Sequence, residues 1–239
     1  MTTLILVRHG QSLWNAENRF TGWVDVDLSE KGVKEAEKSG DLIKNLKFNI
    51  DYSYTSYLKR AIKTLTIILQ KNELELKFFT SWQLNERHYG ALTGLNKDET
   101  KKELGEAQFK KYRRSWEIAP PKINENNKNL NLFSPLNSSI PLGMIPLTES
   151  LKETYQRVVP FYQKEIKNKL QNEKNVLISA HGNSLRALCK YLFKISDLEI
   201  NNLEIPTGNP LLIAFKKTGE IKNFHYLDKD RSKDIIVSR

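Results

Sequence analysis

The chain has 239 residues, 39% of them hydrophobic, with four Trp, nine Tyr and ten Phe. That is enough apolar material for a substantial core, and too much for a disordered chain. The formal net charge of +10 admits nucleic acid, a membrane surface or anionic metabolites as partners. No apolar run reaches the roughly 18–20 residues that span a bilayer. Residues 1–7 lack the basic flank and the length of a secretory signal. Cys189 is the single cysteine, which excludes an intrachain disulfide and a cysteine-built zinc cluster and leaves a buried, inert thiol as the expectation. A soluble cytoplasmic protein is expected.

In chain order, residues 4–7 form a short apolar run that reads as a buried strand. Ser29 reads as an N-cap, and Val33, Ala36, Gly40, Ile43 and Leu46 follow at helical spacing. Residues 51–55 read as a strand. Leu58, Ala61, Ile62, Leu65, Ile68 and Leu69 mark a second amphipathic helix. Residues 76–80 predict another strand, and 98–118 a polar, helix-compatible stretch. Residues 119–147 hold five of the eight prolines and many asparagines, with little periodicity, so they read as a surface insertion. A helix is expected to open at Thr148, with a kink at Pro160. Residues 176–180 predict a buried strand, and 182–193 the helix behind it. Residues 210–215 and 221–226 predict a hairpin around Gly219.

Strands alternating with helices imply an α/β fold: three layers, αβα, around a mostly parallel sheet, with the ligand at the carboxyl ends of the strands. The whole of 1–239 is expected to form one domain carrying the insertion at 119–147 and a mobile tail at 228–239.

The two strands of strongest buried character are followed at once by His9-Gly10 and His181-Gly182, although the chain has only four histidines. Two imidazoles are thereby expected at one edge of the sheet. Arg8 beside His9 would grip phosphoryl oxygens and lower the pKa of His9, so that a neutral ring offers a lone pair to phosphorus. Gly10 would let a phosphate approach the main chain. Ser12 and Asn15 add neutral donors. Arg60, where the second strand gives way to its helix, reads either as a further anion ligand or as an exposed first-turn residue. His181 reads as a donor to the phosphoryl group or as a core histidine. Glu86, in Leu84-Asn85-Glu86-Arg87-His88-Tyr89-Gly90, is the candidate proton acceptor, with a plain salt bridge the other reading. Arg113-Arg114 reads as a solvated helix face or a second anion clamp.

These residues resemble the cofactor-dependent phosphoglycerate mutases of the histidine phosphatase superfamily. The likeness runs through Arg8-His9-Gly10-Gln11-Ser12, Asn18-Arg19-Phe20-Thr21-Gly22-Trp23, Leu58-Lys59-Arg60-Ala61 and the segment 84–90. It continues in Leu95-Asn96-Lys97, Pro146-Leu147-Thr148-Glu149-Ser150-Leu151, Ala180-His181-Gly182-Asn183 and Ile205-Pro206-Thr207-Gly208. The resemblance implies that His9 carries the phosphoryl group, Glu86 moves the proton and His181 steadies the transition state. Arg8, Asn15, Arg60, Gly182 and Asn183 would surround the phosphoryl group. Thr21, Gly22, Arg87, Tyr89, Lys97, Arg113 and Arg114 would hold the rest of a small phosphorylated substrate, and Gly10, Gln11, Ser12 and His88 complete the expected substrate-binding set. It further implies 2,3-bisphosphoglycerate as the cofactor, no metal, a homodimer or homotetramer, and no nucleic-acid or membrane partner. A phosphatase with the same phosphohistidine chemistry is the near alternative. Gln11 departs from the family's usual glutamate, which would remove a negative charge beside the phosphate.

Overall fold

The computed structural model describes residues 2–75, 77–124, 140–141 and 143–234. Its strands are β1 (Thr2–Arg8), β2 (Tyr52–Thr55), β3 (Phe79–Thr80), β4 (Val176–Ala180), β5 (Leu211–Phe215) and β6 (Ile221–Tyr226). They form one sheet in the order β3-β2-β4-β1-β5-β6. β1 lies parallel to β4 and antiparallel to β5, and β5 is the one strand running against the rest. Central strands covered on both faces need side chains that are apolar on both, and β1 and β4 have them.

The pleat sorts those side chains. Leu4, Leu6, Val176 and Ile178 pack beneath α6 (Leu151–Phe161), α7 (Lys167–Gln171) and α8 (Gly182–Leu192). Ile5, Val7 and Leu177 face Ile43, Leu65, Ile68 and Leu69 of α2 (Glu30–Lys44) and α3 (Lys59–Lys71). Helix, sheet and helix make the expected three layers. The Ser29 side chain caps α2 by accepting from the Gly32 amide. Cys189 is fully buried in α8, and burial pushes its thiol up to about 12, so it is inert at neutral pH.

Several expectations change. α6 is capped by Ser150, whose hydroxyl accepts from the Glu153 amide while the Glu153 carboxylate reaches back to the Ser150 amide; Thr148 lies outside the helix. After Pro160, which has no N–H to give, the ladder widens into a π turn at Tyr162–Ile166 before α7 resumes. Of 76–80 only Phe79 and Thr80 pair as a strand; Leu76 lies outside the described residues. The stretch 98–118 holds two helices, α4 (Lys97–Leu104) and α5 (Glu106–Arg114), broken at Gly105, whose φ is +76°. The centre of the insertion, 125–139 and 142, lies outside the described residues, but its ends are packed rather than superficial. Ile123 and Ile140 are buried with Trp23, Val24 and Leu58, and the Ile123 amide donates to the Leu147 carbonyl. The tail is anchored through its described part: Asp228 pairs with Lys38 and Arg231, and Arg231 donates to the carbonyls of Thr207 and Gly208. Residues 235–239 lie outside the described residues.

Candidate active site

The pairing of β1 with β4 sets Arg8 opposite Ala180, so the residue after each strand is a neighbour of the other. The His9 amide donates to the Ala180 carbonyl at 2.9 Å. The rings of His9 and His181 meet edge-on, centroids 4.9 Å apart. His9 Nδ1 is 2.6 Å from the Gly10 carbonyl. A carbonyl can only accept, so the ring proton is on Nδ1 and the lone pair on Nε2. Arg60 Nε–H donates towards that lone pair at 3.3 Å. Burial, then the Arg60 and Arg8 charges, hold the His9 pKa well below the ordinary imidazole value. At neutral pH the ring is uncharged and nucleophilic. Burial contributes more here than the Arg8 charge invoked from sequence.

Arg60 is 1% exposed, which settles its two readings against a solvated residue. Its guanidinium is fixed by the carbonyls of Val24 and Gly22, at 2.8 and 2.7 Å, leaving Nε for His9. Burial brings its pKa down to about 10, so it stays cationic at neutral pH. Arg8 donates through Nη1 to the Ile205 carbonyl, while its buried Nε has no partner. Glu86 Oε1 accepts from the amides of Arg87 and Asn183, at 2.9 and 3.0 Å, the latter in the first turn of α8. Oε2 is directed towards Gly182, where an added side chain would come within 3.7 Å of it.

The pocket continues outward to Lys97, Arg113, Arg114 and Arg186. Asn183 links this end to Tyr89, donating to the phenol oxygen at 3.0 Å and accepting from Arg186 at 2.7 Å. Burial raises the Tyr89 pKa, but the Arg87 and Arg113 charges outweigh it and leave the phenol lowered. Seven cationic side chains and only two carboxylates, Glu86 and Glu204, line the pocket. Such a wall suits an anion bearing charge at both of its ends.

Of the residues expected from sequence, Arg8, His9, Asn15, Thr21, Gly22, Arg60, Glu86, Tyr89, Lys97, Arg113, Arg114, Gly182 and Asn183 line this one pocket. The others stand behind it. His181 is fully buried against His9; its Nε2 is 2.7 Å from Ser56 Oγ and its Nδ1 has no partner. Arg87 stacks on Tyr89, 4.6 Å from ring centroid to guanidinium carbon, and donates to the carbonyls of Tyr112 and Arg113. His88 packs against Trp23 and accepts the Gly90 amide at Nδ1. Ser12 caps α1 (Leu13–Ala16). The Gln11 side chain accepts from Ser29 Oγ, away from the pocket wall, so the exchange of glutamate for glutamine does not act on phosphate directly. Gly10 also differs from expectation. A Cβ there would meet the Gly32 carbonyl at 2.1 Å, so its bareness serves the contact with α2 rather than a phosphate.

Arg186, which the sequence offers only as one of several arginines gathered at the motifs, also lines the pocket; sequence reasoning assigned no role to Arg19, Phe20, Glu204 and Ile205, which line it too, or to Ser56 behind His181. Nor did it single out Arg157. That residue forms a buried two-point ion pair with Glu149 and donates to the carbonyls of Gln83, Asn85 and Glu86, fixing the segment that carries Glu86. Their only signal was membership of, or proximity to, the motif segments. Among the described residues, no group of three or more His, Cys, Asp or Glu could hold a metal ion, and no helix is long and apolar enough to cross a membrane.

Two strand-end histidines at the head of an arginine-lined pocket have their counterpart among known proteins. The sequence profile of the histidine phosphatase superfamily (branch 1) matches residues 4–132 and 133–224. The chain belongs to this superfamily. Within it are relatives similar over nearly their full length. The 2,3-bisphosphoglycerate-dependent phosphoglycerate mutase of Pelagibacter ubique is 57% identical, covering 99% of this chain and 100% of that one. The protein of the same name from Treponema denticola is 52% identical, covering 94% and 91%. Among solved structures, phosphoglycerate mutase from Bacillus anthracis superposes with a TM-score of 0.66 at 22% identity, over 92% of this chain and 90% of that one. A mycobacterial glucosyl-3-phosphoglycerate phosphatase superposes with a TM-score of 0.68 at 19% identity, over 95% and 97%. These two structures share the histidine phosphatase fold with this chain.

Proposed function

We propose that the chain is a 2,3-bisphosphoglycerate-dependent phosphoglycerate mutase, an isomerase that interconverts 3-phosphoglycerate and 2-phosphoglycerate through phospho-His9. One observation carries the reading. His9, with its lone pair on Nε2, lines a pocket that is cationic at both ends, so a ligand can present one phosphate to His9 while its other charged groups are held. The relatives at 48–57% identity bear the same activity in their names.

The residues fit 2,3-bisphosphoglycerate. Arg8, with its unpartnered buried Nε, and Arg60 suit one phosphate, and Lys97, Arg113 and Arg114 suit the other. When bound, this cofactor supplies the phosphoryl group that primes His9. The protein's own part is positioning and charge compensation, which phosphoryl transfer needs most. His9 Nε2 donates its pair to phosphorus as the P–O bond to the departing oxygen breaks. Glu86, fixed by two amides, gives a proton to that oxygen, and takes one from the hydroxyl that later attacks phospho-His9. Ser56 accepts the Leu58 amide, so its own proton is available to His181 Nε2. The unpartnered Nδ1 then carries the single proton of the neutral ring and donates it in a hydrogen bond to the phosphoryl oxygens in transit. A cytoplasmic, glycolytic and gluconeogenic setting follows from that substrate. A homodimer or homotetramer is the assembly we expect, supported by the open edge of β3, where Phe79 is 49% exposed; the mass in solution is the deciding measurement.

His9→Ala is expected to abolish both mutase turnover and the acid-labile phosphoenzyme formed with 2,3-bisphosphoglycerate. Turnover retained by that variant would end the proposal. Inorganic phosphate as the main product of the wild-type protein would favour a phosphatase instead.

A further inference from the structure

A carboxylate in a pocket built for anions weakens it, and Glu86 repays that cost by handling the proton. Glu204 has no such place. It lies at the outer end, where Arg114 Nη2 donates to its Oε1 at 2.8 Å, with the Glu204 side chain 48% exposed and that of Arg114 22%. The pair stands between the pocket and an outer groove that includes Lys101 and Lys110, and both cavities share Arg113, Arg114 and Glu204. Burial works against the ionised carboxylate, but the Arg114 hydrogen bond and charge outweigh it, so Glu204 remains an anion at neutral pH. Its charge is also felt by Arg113. Both arginines of the outer clamp therefore have an internal counter-ion.

We propose that Glu204 is a specificity-determining residue: it occupies Arg114 as a resident anion that an incoming ligand must displace, and it penalises that ligand more the more negative its outer group is. A phosphate dianion suffers more than a carboxylate, so the residue favours release of a doubly phosphorylated ligand over a singly phosphorylated one. The identity of those ligands rests on the mutase reading; the competition between Glu204 and an anion for Arg114 does not.

Calorimetric titration in the His9→Ala background, which stops turnover, tests this with 2,3-bisphosphoglycerate and 3-phosphoglycerate as probes. Glu204→Gln keeps a side chain that can accept from Arg114 and removes only the charge. It is expected to lower the Kd for the bisphosphate by about threefold or more, the scale of one partly exposed ion pair, and to lower that for the monophosphate less. Glu204→Asp should keep the wild-type ratio. Glu220→Gln, an equal charge change at the exposed Lys216 pair in the β5–β6 turn, should move neither. With His9 restored, Glu204→Gln should lower the bisphosphate concentration needed for activation. Unchanged or weaker bisphosphate binding in Glu204→Gln, or an equal gain for both probes, overturns the inference. If the wild-type protein fails to interconvert phosphoglycerates, the mutase reading falls and the comparison of Kd values still decides the role of Glu204.

Discussion

At the scale of single residues, the neutral His9 ring is set by two bonds of opposite sense: it donates to the Gly10 carbonyl and accepts from Arg60. Its partner His181 depends on Ser56, which no motif argument could weight because a serine three residues before a helix has many uses. Ser56→Ala removes the group that orients His181 and sets its tautomer. Loss of one buried hydrogen bond predicts kcat lower by about five- to tenfold, with KM within about twofold. Steady-state kinetics checks this; a rise in KM at unchanged kcat would assign Ser56 to binding instead. The side chains that sequence reasoning reached most easily were those with reactive or charged ends. The ones it passed over, Ser56 and Arg157 among them, work through partners distant along the chain.

At the scale of elements, helices were legible where periodicity and a cap coincided, as at Ser29 and α2. They were less so where a local event intervened: the left-handed Gly105 that divides 98–118, or the π turn beyond Pro160. Gly10 and Gly32 belong to this scale. The backbone after β1 touches the first turn of α2 so closely that a Cβ on Gly10 would lie 2.1 Å from the Gly32 carbonyl, and one on Gly32 would lie 2.0 Å from the Gln11 carbonyl. Both obstacles are backbone and neither can swing aside. Gly10→Ala is therefore expected to destabilise the fold by roughly 2–4 kcal/mol, as overpacking against a rigid neighbour does. Chemical denaturation measures it, and a loss below about 1 kcal/mol would show that α2 can retreat.

At the scale of the molecule, three buried imidazoles are held uncharged by the fold. Burial, followed by the Arg157 charge, takes His88 down to about 4, and burial with neighbouring arginines also holds His9 and His181 well below their ordinary value. In the unfolded chain each takes up a proton as pH falls below about 6.5, while the folded form resists until its own lower pKa. The unfolded state then binds more protons, so stability falls as pH drops from about 6.5 towards 4, by roughly 3 kcal/mol for His88 alone. Urea melts at stepped pH should show that slope, and His88→Asn should flatten it; an unchanged slope would place the effect on other groups.

The sequence by itself determined the layers, the parallel core and the meeting of two histidines, because hydrophobic period and strand-end position are local properties that a linear reading preserves. Only the tertiary structure decided which nitrogen of His9 is free, that Gly10 serves a helix contact, that Arg157 carries the Glu86 segment and that Glu204 holds Arg114. Each of these depends on distance and direction between groups far apart along the chain, and spacing in sequence contains neither.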